Sequence, residues 1–140
     1  HFCYPRNPLD IANCRMLQSG MDKEAAAFLL NLLHSSTNVH LMHWTTDSYS
    51  AHKTLGKFYQ KIIDLADDFA EALMGKYGQL AIQDFPADYH AATDPISYLE
   101  GLSDFVGESR EHLPQDTELQ NIVDEIAQLI DSTLFLLKLN

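Results

Sequence analysis

Residues that recur at intervals of three and four positions constrain the fold of this chain more than any other feature. From about Asp22 to Trp44, such residues mark one face of a long segment. The positions on this face are Ala25, Leu29, Leu32, Ser36, Val39 and His43. A spacing near 3.6 residues is typical of an amphipathic helix, whereas a half-buried strand alternates every second residue. The chain shows no strand-like alternation, so the sequence predicts an all-α protein.

A second helix is predicted from about Ser50 to Tyr77, where Gly78 ends it. Its apolar face comprises Leu55, Phe58, Ile62, Ala66, Phe69 and Leu73. The polar break before this helix contains Asp47 and Ser48, and either could cap it. Because so short a break joins two long amphipathic helices, we expect an antiparallel hairpin.

A long connection, QLAIQDFPADYHAATD, follows the second helix and could cross the length of a bundle. Asp94 and Pro95 then supply a capping residue and a proline at the first helical position. This pair predicts a third helix that runs to about Leu113, before Pro114.

The last helix is predicted to open at Asp116 or Thr117. Its apolar face comprises Leu119, Val123, Ile126, Ile130, Thr133, Leu134 and Leu137. A hairpin, a long crossover and two further helices form the pattern of a four-helix bundle with one crossover between helices 2 and 3. A chain of 140 residues with 46% hydrophobic content can fill one core. We therefore expect residues 21–140 to form one such domain.

The first twenty residues show little periodicity and contain both cysteines, Cys3 and Cys14. This stretch is predicted to be an irregular N-terminal segment or sequence upstream of a start at Met21. Two cysteines placed there form neither a disulfide framework nor a spaced zinc motif, which favours a reducing compartment. No apolar run approaches the ~20 residues of a membrane span, and no signal peptide is recognisable. We expect a soluble, cytoplasmic protein.

The charge balance excludes one large class of partners. The formal net charge is -11 and the pI is about 4.8. Proteins that bind nucleic acid need lysine and arginine to neutralise phosphates, so no nucleic-acid partner is expected. An acidic surface is better suited to binding cations.

Two histidines and two carboxylates are the candidate metal ligands: His43, His52, Asp67 and Glu71. Imidazole and carboxylate groups together are typical ligands of transition metals. A single histidine on a helix face is more often a hydrogen-bonded core residue, and a charged arc is usually a solvated face. His43 is not alone, however, because the short turn is expected to bring it beside His52.

One chain cannot place all four groups on one ion. The fifteen residues from His52 to Asp67 span about 22 Å along a straight helix, whereas bonds from a metal to nitrogen or oxygen measure about 2 Å. If two copies of the second helix pack antiparallel about a twofold axis, each histidine end meets the carboxylate end of the other copy. The spacing therefore suggests two identical sites between the subunits of a dimer.

This pattern resembles that of the Dps mini-ferritins, a family of the ferritin-like superfamily. The resemblance rests on the pair His43 and Trp44, on His52 early in the next helix, and on Asp67 and Glu71 in the segment DDFAE. The later segment QDFPADYHAATD also resembles the crossover segment of that family.

The resemblance implies a ferritin-like four-helix bundle that binds iron. In that family, histidines of one subunit join an aspartate and a glutamate of a twofold neighbour, which here correspond to His43 and His52 with Asp67 and Glu71. Members oxidise Fe(II), commonly with hydrogen peroxide, and store ferric mineral in a dodecameric shell. Trp44 stands where the family has a tryptophan beside the site, where it could intercept radicals. The implied activity is that of a ferroxidase-type oxidoreductase whose partner is another copy of itself.

The sequence departs from the family pattern at three points. Gly56 stands one turn after His52, where members usually have a further acidic ligand, and the segment between the two histidines is a few residues shorter. No lysine-rich tail is found, so the DNA binding of some members is not expected. The missing acid favours a mononuclear site, or one that binds Zn²⁺ or another divalent metal instead of iron.

Two alternatives remain open. The chain could be a structural or interaction module that kept the fold without the metal chemistry, which Gly56 favours. Inward-facing carboxylates could also form a site inside one bundle, but the Glu-x-x-His pairs of larger ferritins are missing. The candidates for that second site are Glu24, Glu100, Glu108, Asp124 and Glu125. Phosphate-binding loops and hydrolase motifs are also missing from the sequence.

Overall fold

The structure, a computed structural model, describes residues 6–139. Within that range the chain forms four α-helices and one short 3-10 turn, with no β-strand. The helices are α1 (Pro8–Thr45), α2 (Tyr49–Tyr77), α3 (Pro95–Ser109) and α4 (Thr117–Leu137). For the described residues, the prediction of an all-helical chain with four helices is confirmed.

The first helix begins far earlier than its apolar face predicted. Asn7 caps α1, because its Oδ1 accepts a hydrogen bond from the Asp10 backbone N–H at 2.9 Å, and Pro8 occupies the first helical position. The prediction of an irregular segment over residues 1–20 is therefore wrong for residues 8–20. Residues 1–5 lie outside the described part of the chain. The first turns bury little, so no periodic stripe marked them; Leu9, Met16 and Leu17 are all exposed.

Cys14 lies on this early part of α1 and is disulfide-bonded. The other cysteine of the sequence, Cys3, lies outside the described residues. The inference of a reducing compartment from the cysteines therefore has no support in the structure. None of the helices within residues 6–139 combines the length and the apolarity needed to cross a membrane.

Helices α1 and α2 form the predicted antiparallel hairpin. Near the start of α1, Gln18 Nε2 donates to the Tyr77 carbonyl at the end of α2, at 3.4 Å. Further along, the Ser36 hydroxyl donates to the Tyr59 carbonyl at 2.8 Å. The two helices therefore run side by side in opposite directions, from the contact between Gln18 and Tyr77 to the turn that joins them.

The bounds of α2 agree with the sequence signals. Ser48 caps the helix through a hydrogen bond from the Ala51 backbone N–H to its Oγ, at 3.2 Å. Gly78 ends it with φ of 97°, a left-handed conformation that glycine adopts without steric cost. Of the two predicted caps, Asp47 and Ser48, the helix uses Ser48, and the prediction of a Gly78 stop is confirmed.

The third helix is shorter than predicted. It begins as expected, with Asp94 accepting a hydrogen bond from the Ser97 backbone N–H at 2.8 Å, but it ends at Ser109 rather than near Leu113. The Arg110 carbonyl accepts side-chain hydrogen bonds from Gln115 and Gln120. These bonds hold the chain in a turn before α4.

The predicted apolar faces meet in one core. Phe28 on α1 lies between Phe69 on α2 and Phe105 on α3, with ring centroids 5.2 and 6.2 Å away. The largest fully buried side chains on the other predicted faces are Leu32, Leu55, Phe58, Ile62, Leu73, Leu119, Ile126 and Ile130. Burial of these side chains is the main source of stability, at about 1.5–3 kcal/mol for each large apolar group.

The connection between α2 and α3 is fastened to α1 by one side chain. Asn38 is only 2% exposed, and its Nδ2 donates to the His90 carbonyl at 3.1 Å. Its Oδ1 accepts from the Tyr89 hydroxyl at 2.7 Å and from the Ala92 backbone N–H at 3.3 Å. A buried amide thus uses both its nitrogen and its oxygen to hold a segment that has little regular structure of its own.

Candidate metal centre

The two histidines meet where the hairpin turns. His43 is near the end of α1 and His52 is in the first turn of α2, and their rings stack with centroids 3.8 Å apart at an angle of 15°. Both side chains are half-buried. The prediction that the short turn brings His43 beside His52 is confirmed.

Each histidine is bound to the backbone of the other. His43 Nδ1 lies 2.6 Å from the His52 carbonyl oxygen, and His52 Nδ1 lies 2.7 Å from the His43 carbonyl oxygen. Because a carbonyl oxygen can only accept, Nδ1 must carry the proton in both rings. In the neutral rings Nε2 therefore carries a lone pair, which is the form that binds a metal ion.

Gly56 makes room for this pair. It is buried on α2, and a Cβ built at this position would lie 2.9 Å from Cε1 and 3.2 Å from Nδ1 of His43. The His43 ring therefore rests against the α2 backbone in space that any side chain at position 56 would occupy. In the sequence Gly56 stands only as a missing ligand, and no sequence pattern indicates this role in packing.

Aromatic rings extend from the histidine pair toward the surface. His40 stacks on Tyr59 with centroids 3.8 Å apart and an angle of 7°, and Tyr59 lies 5.3 Å from His43. Trp44 packs against His40 at 4.5 Å and is 65% exposed. No pattern in the sequence predicts this stacking of His40 on Tyr59.

The two carboxylates lie far from the histidines of their own chain. Asp67 and Glu71 are exposed on α2, fifteen and nineteen residues after His52. At about 1.5 Å per residue, Asp67 is about 22 Å further along the helix. Within residues 6–139, no three His, Cys, Asp or Glu side chains come close enough to hold a metal ion. The structure of one chain therefore assembles two of the four predicted ligands and leaves the other two apart.

A groove of about 700 Å³ runs beside the histidine pair along α2. His43, His52 and Gly56 form one end of it, and Glu125 of α4 contributes to its wall. The remaining lining comes mainly from charged and polar side chains of α2: Lys53, Lys57, Gln60, Lys61, Asp64 and Asp68. The groove thus connects the histidines with the charged face of α2.

The strongest electrostatic perturbation lies elsewhere, at the end of α2 remote from the turn. Lys76 and Tyr77 both bind the Asp116 carboxylate, at 2.5 Å each. The Lys76 ammonium, and then the Tyr77 hydroxyl, lower the pKa of Asp116. Burial, followed by the bond to Asp116, raises the pKa of Tyr77 to about 12. These contacts join α2 to the start of α4, so the shifts have a structural explanation and do not mark a reaction centre.

Comparison with known proteins gives one match. A family model described as a family of unknown function, DUF5856, matches residues 43–137. No curated protein and no solved structure matches the chain. The matched range begins at His43 and includes His52, Asp67 and Glu71, so all four candidate ligands lie within it.

Proposed function

The chain belongs to DUF5856, a family of unknown function, and we propose that it binds a divalent transition metal, with iron as the first candidate, between two twofold-related copies of itself. His43 and His52 of one subunit supply nitrogen ligands, and Asp67 and Glu71 of the partner subunit supply oxygen ligands. The observation that carries this proposal is the pair of reciprocal hydrogen bonds that fixes both histidine rings with Nε2 free.

The hydrogen bonds of the histidine pair are those expected around a metal. A ligating histidine almost always donates its second ring N–H to a carbonyl or a carboxylate, which fixes the tautomer and the ring orientation. The His43 and His52 rings stack with centroids 3.8 Å apart, so two imidazoles stand side by side at the turn.

The carboxylates are available to a second chain. Asp67 and Glu71 lie one turn apart on the exposed face of α2, and neither forms a salt bridge within residues 6–139. An antiparallel second copy of α2 would bring these acids to the histidine end of the first. Two such sites would form in each dimer because a twofold axis repeats every contact.

The contacts of the helix ends support a ferritin-like arrangement. Lys76 at the end of α2 binds Asp116 at the start of α4, whereas Lys138, just after α4, lies 3.6 Å from Glu100 near the start of α3. We infer from these two contacts that α2 and α3 run in the same direction and that residues 78–94 cross the length of the bundle. This topology is the one that the resemblance to Dps implies.

Iron would supply the redox chemistry that the resemblance to Dps implies, in which Fe(II) is oxidised by peroxide or oxygen. The chain's own groups hold the ion, and Trp44 lies close enough to intercept radicals formed there. With glycine at position 56, the proposed site contains two imidazoles and two carboxylates, which favours one metal ion in each site. A dodecameric shell is a further proposal that rests on the resemblance alone.

Subunit mixing tests whether the site is shared. We expect Co²⁺, used as a redox-stable probe, to bind wild-type protein with an affinity that both His52→Ala and the double variant Asp67→Asn/Glu71→Gln abolish. A mixed dimer of these two variants has one intact site, so a randomised equal mixture should regain about a quarter of wild-type capacity. Lack of recovery after verified subunit exchange would contradict a site between subunits.

A structural or interaction module without metal chemistry is the second candidate. The separation of Asp67 and Glu71 from the histidines in one chain favours it. Ferrous oxidation followed near 310 nm separates the two: a module should give no rate above buffer and no effect of His52→Ala. Saturable oxidation that this variant abolishes would instead support the iron site.

A further inference from the structure

The exposed face of α2 divides into a basic half and an acidic half. Three of the chain's nine lysine and arginine residues stand four positions apart on this face, at Lys53, Lys57 and Lys61. The charged side chains of the next two turns are all acidic: Asp64, Asp67, Asp68 and Glu71. All seven side chains are exposed, and the change of sign falls between positions 61 and 64.

This division of charge is unfavourable within a single helix. Like charges four positions apart repel by about 0.2–0.5 kcal/mol per pair, and such pairs occur at Lys53 and Lys57 and at Asp64 and Asp68. The ion pairs found within residues 6–139 involve Lys76, Arg110 and Lys138 and none of these side chains. No salt bridge within residues 6–139 therefore compensates this charge pattern.

The proposed shared site fixes one register for an antiparallel copy of α2, and the inference that follows rests on that proposed function. His52 then lies opposite the midpoint between Asp67 and Glu71 of the partner subunit. Each step toward the C-terminus of one helix is a step toward the N-terminus of the other. The twofold axis therefore passes between positions 60 and 61, next to the change of sign.

In this register the two charged halves face each other. We propose that a second copy of this chain docks antiparallel on α2, with Lys53 and Lys57 bound to Asp68 and Asp64 of the partner subunit. The axis repeats both contacts, so four ion pairs cross the dimer. Lys57 and Asp64 lie about 5 Å along the helix from the axis, where the two helices are closest.

The docking also explains how a metal could bind beside lysines. Lys53 and Lys57 line the groove that His43 and His52 enter, and their positive charges would repel a cation. Pairing with the acids of a second subunit neutralises both ammonium groups. The partner thus provides two of the metal ligands and removes the charge that opposes metal binding.

Charge reversal on metal-free protein tests this docking. Lys57→Glu places a glutamate against Asp64 of the partner subunit, and Asp64→Lys places two lysines together, so we expect each to raise the dimer dissociation constant by about 10–100-fold. The double variant Lys57→Glu/Asp64→Lys restores opposite charges across the axis and should recover dimerisation. Within one chain these residues lie two turns apart, about 10 Å along the helix, too far to pair directly, so recovery of dimerisation must come from the second copy.

Sedimentation velocity in EDTA measures the assembly, with circular dichroism to verify folding and Lys23→Glu as a control on exposed α1. Three results would overturn the docking: single reversals that leave the dimer dissociation constant unchanged, a double variant that dimerises as weakly as the single variants, or a wild type that is monomeric.

Failure of the metal site can be distinguished from failure of the docking. If the double variant dimerises but the protein binds no metal, the proposed function alone is refuted. Metal binding that depends on His52, in a dimer insensitive to these charges, would refute the docking alone.

Discussion

The His43 ring lies against Gly56, where an added Cβ would come within 2.9 Å of Cε1. The ring is not free to move away, because its Nδ1 is bound to the His52 carbonyl. An acidic side chain at position 56 and this placement of His43 therefore exclude each other. The glycine that departs from the Dps pattern is part of how this chain positions its first histidine.

Substitution of Gly56 by alanine should destabilise the chain, although alanine is the better helix former. We expect the free energy of unfolding to fall by about 1–3 kcal/mol, the usual cost of overpacking. Gly75 lies on the same helix with nothing within 4 Å of an added Cβ, so Gly75→Ala should raise stability by about 0.5–1 kcal/mol. Urea denaturation of both variants measures the difference. If Gly56→Ala and Gly75→Ala raised the free energy of unfolding equally, the His43 ring would be able to move aside without loss of stability, and the prediction would be contradicted.

Asn38 should be the most sensitive polar residue of the fold. Asn38→Ala removes three hydrogen bonds from a buried position and leaves the His90 carbonyl and the Ala92 N–H without that partner. We expect a loss of about 2–4 kcal/mol and faster hydrogen exchange at Ala92. Asn31 is the control on the same helix: it is half-buried, and its amide donates within α1, to the Ala27 carbonyl. Similar losses of unfolding free energy in Asn38→Ala and Asn31→Ala would contradict a special role of Asn38 in holding the connection between α2 and α3.

The contact of Asp116 with Lys76 and Tyr77 should make stability depend on pH in the acid range. The pKa of Asp116 is lowered, so its contribution is fully present above the ordinary aspartate pKa of about 4 and is lost as pH falls through the lower folded value. The difference in unfolding free energy between wild type and Asp116→Asn should be constant from neutral pH to about 5 and then shrink.

Denaturation at a series of pH values measures that difference. Asp131→Asn is the control, because Asp131 is exposed on the same helix and forms no salt bridge within residues 6–139. A difference in unfolding free energy between wild type and Asp116→Asn that grows as the pH falls would contradict a lowered pKa of Asp116.

Helix bounds were predictable where a buried face and a capping signal coincide. Ser48, Gly78 and the pair Asp94 and Pro95 all stand where the sequence placed them. The start of α1 was missed because its first turns bury almost nothing, although Asn7 and Pro8 carry the same signal as Asp94 and Pro95. Capping chemistry alone would have found it.

The histidine pair was predictable only in part. The short turn indicated that His43 and His52 would be close, but their stacking and reciprocal hydrogen bonds depend on the exact angle of the hairpin. That angle is set by contacts such as Ser36 with the Tyr59 carbonyl and by the absence of a side chain at Gly56. Such contacts between helices leave no periodic trace in the sequence.

Trp44 should report directly on metal binding because it is the only tryptophan of the chain. Two ring-to-ring steps, of 4.5 Å to His40 and then 6.2 Å to His43, separate it from the proposed site. We expect paramagnetic Co²⁺ to quench its fluorescence saturably, and His52→Ala to abolish the saturable part. His34→Ala should leave the titration unchanged, since His34 packs on Tyr89 in another part of the fold. Quenching that survives in His52→Ala would place the bound metal away from the histidine pair.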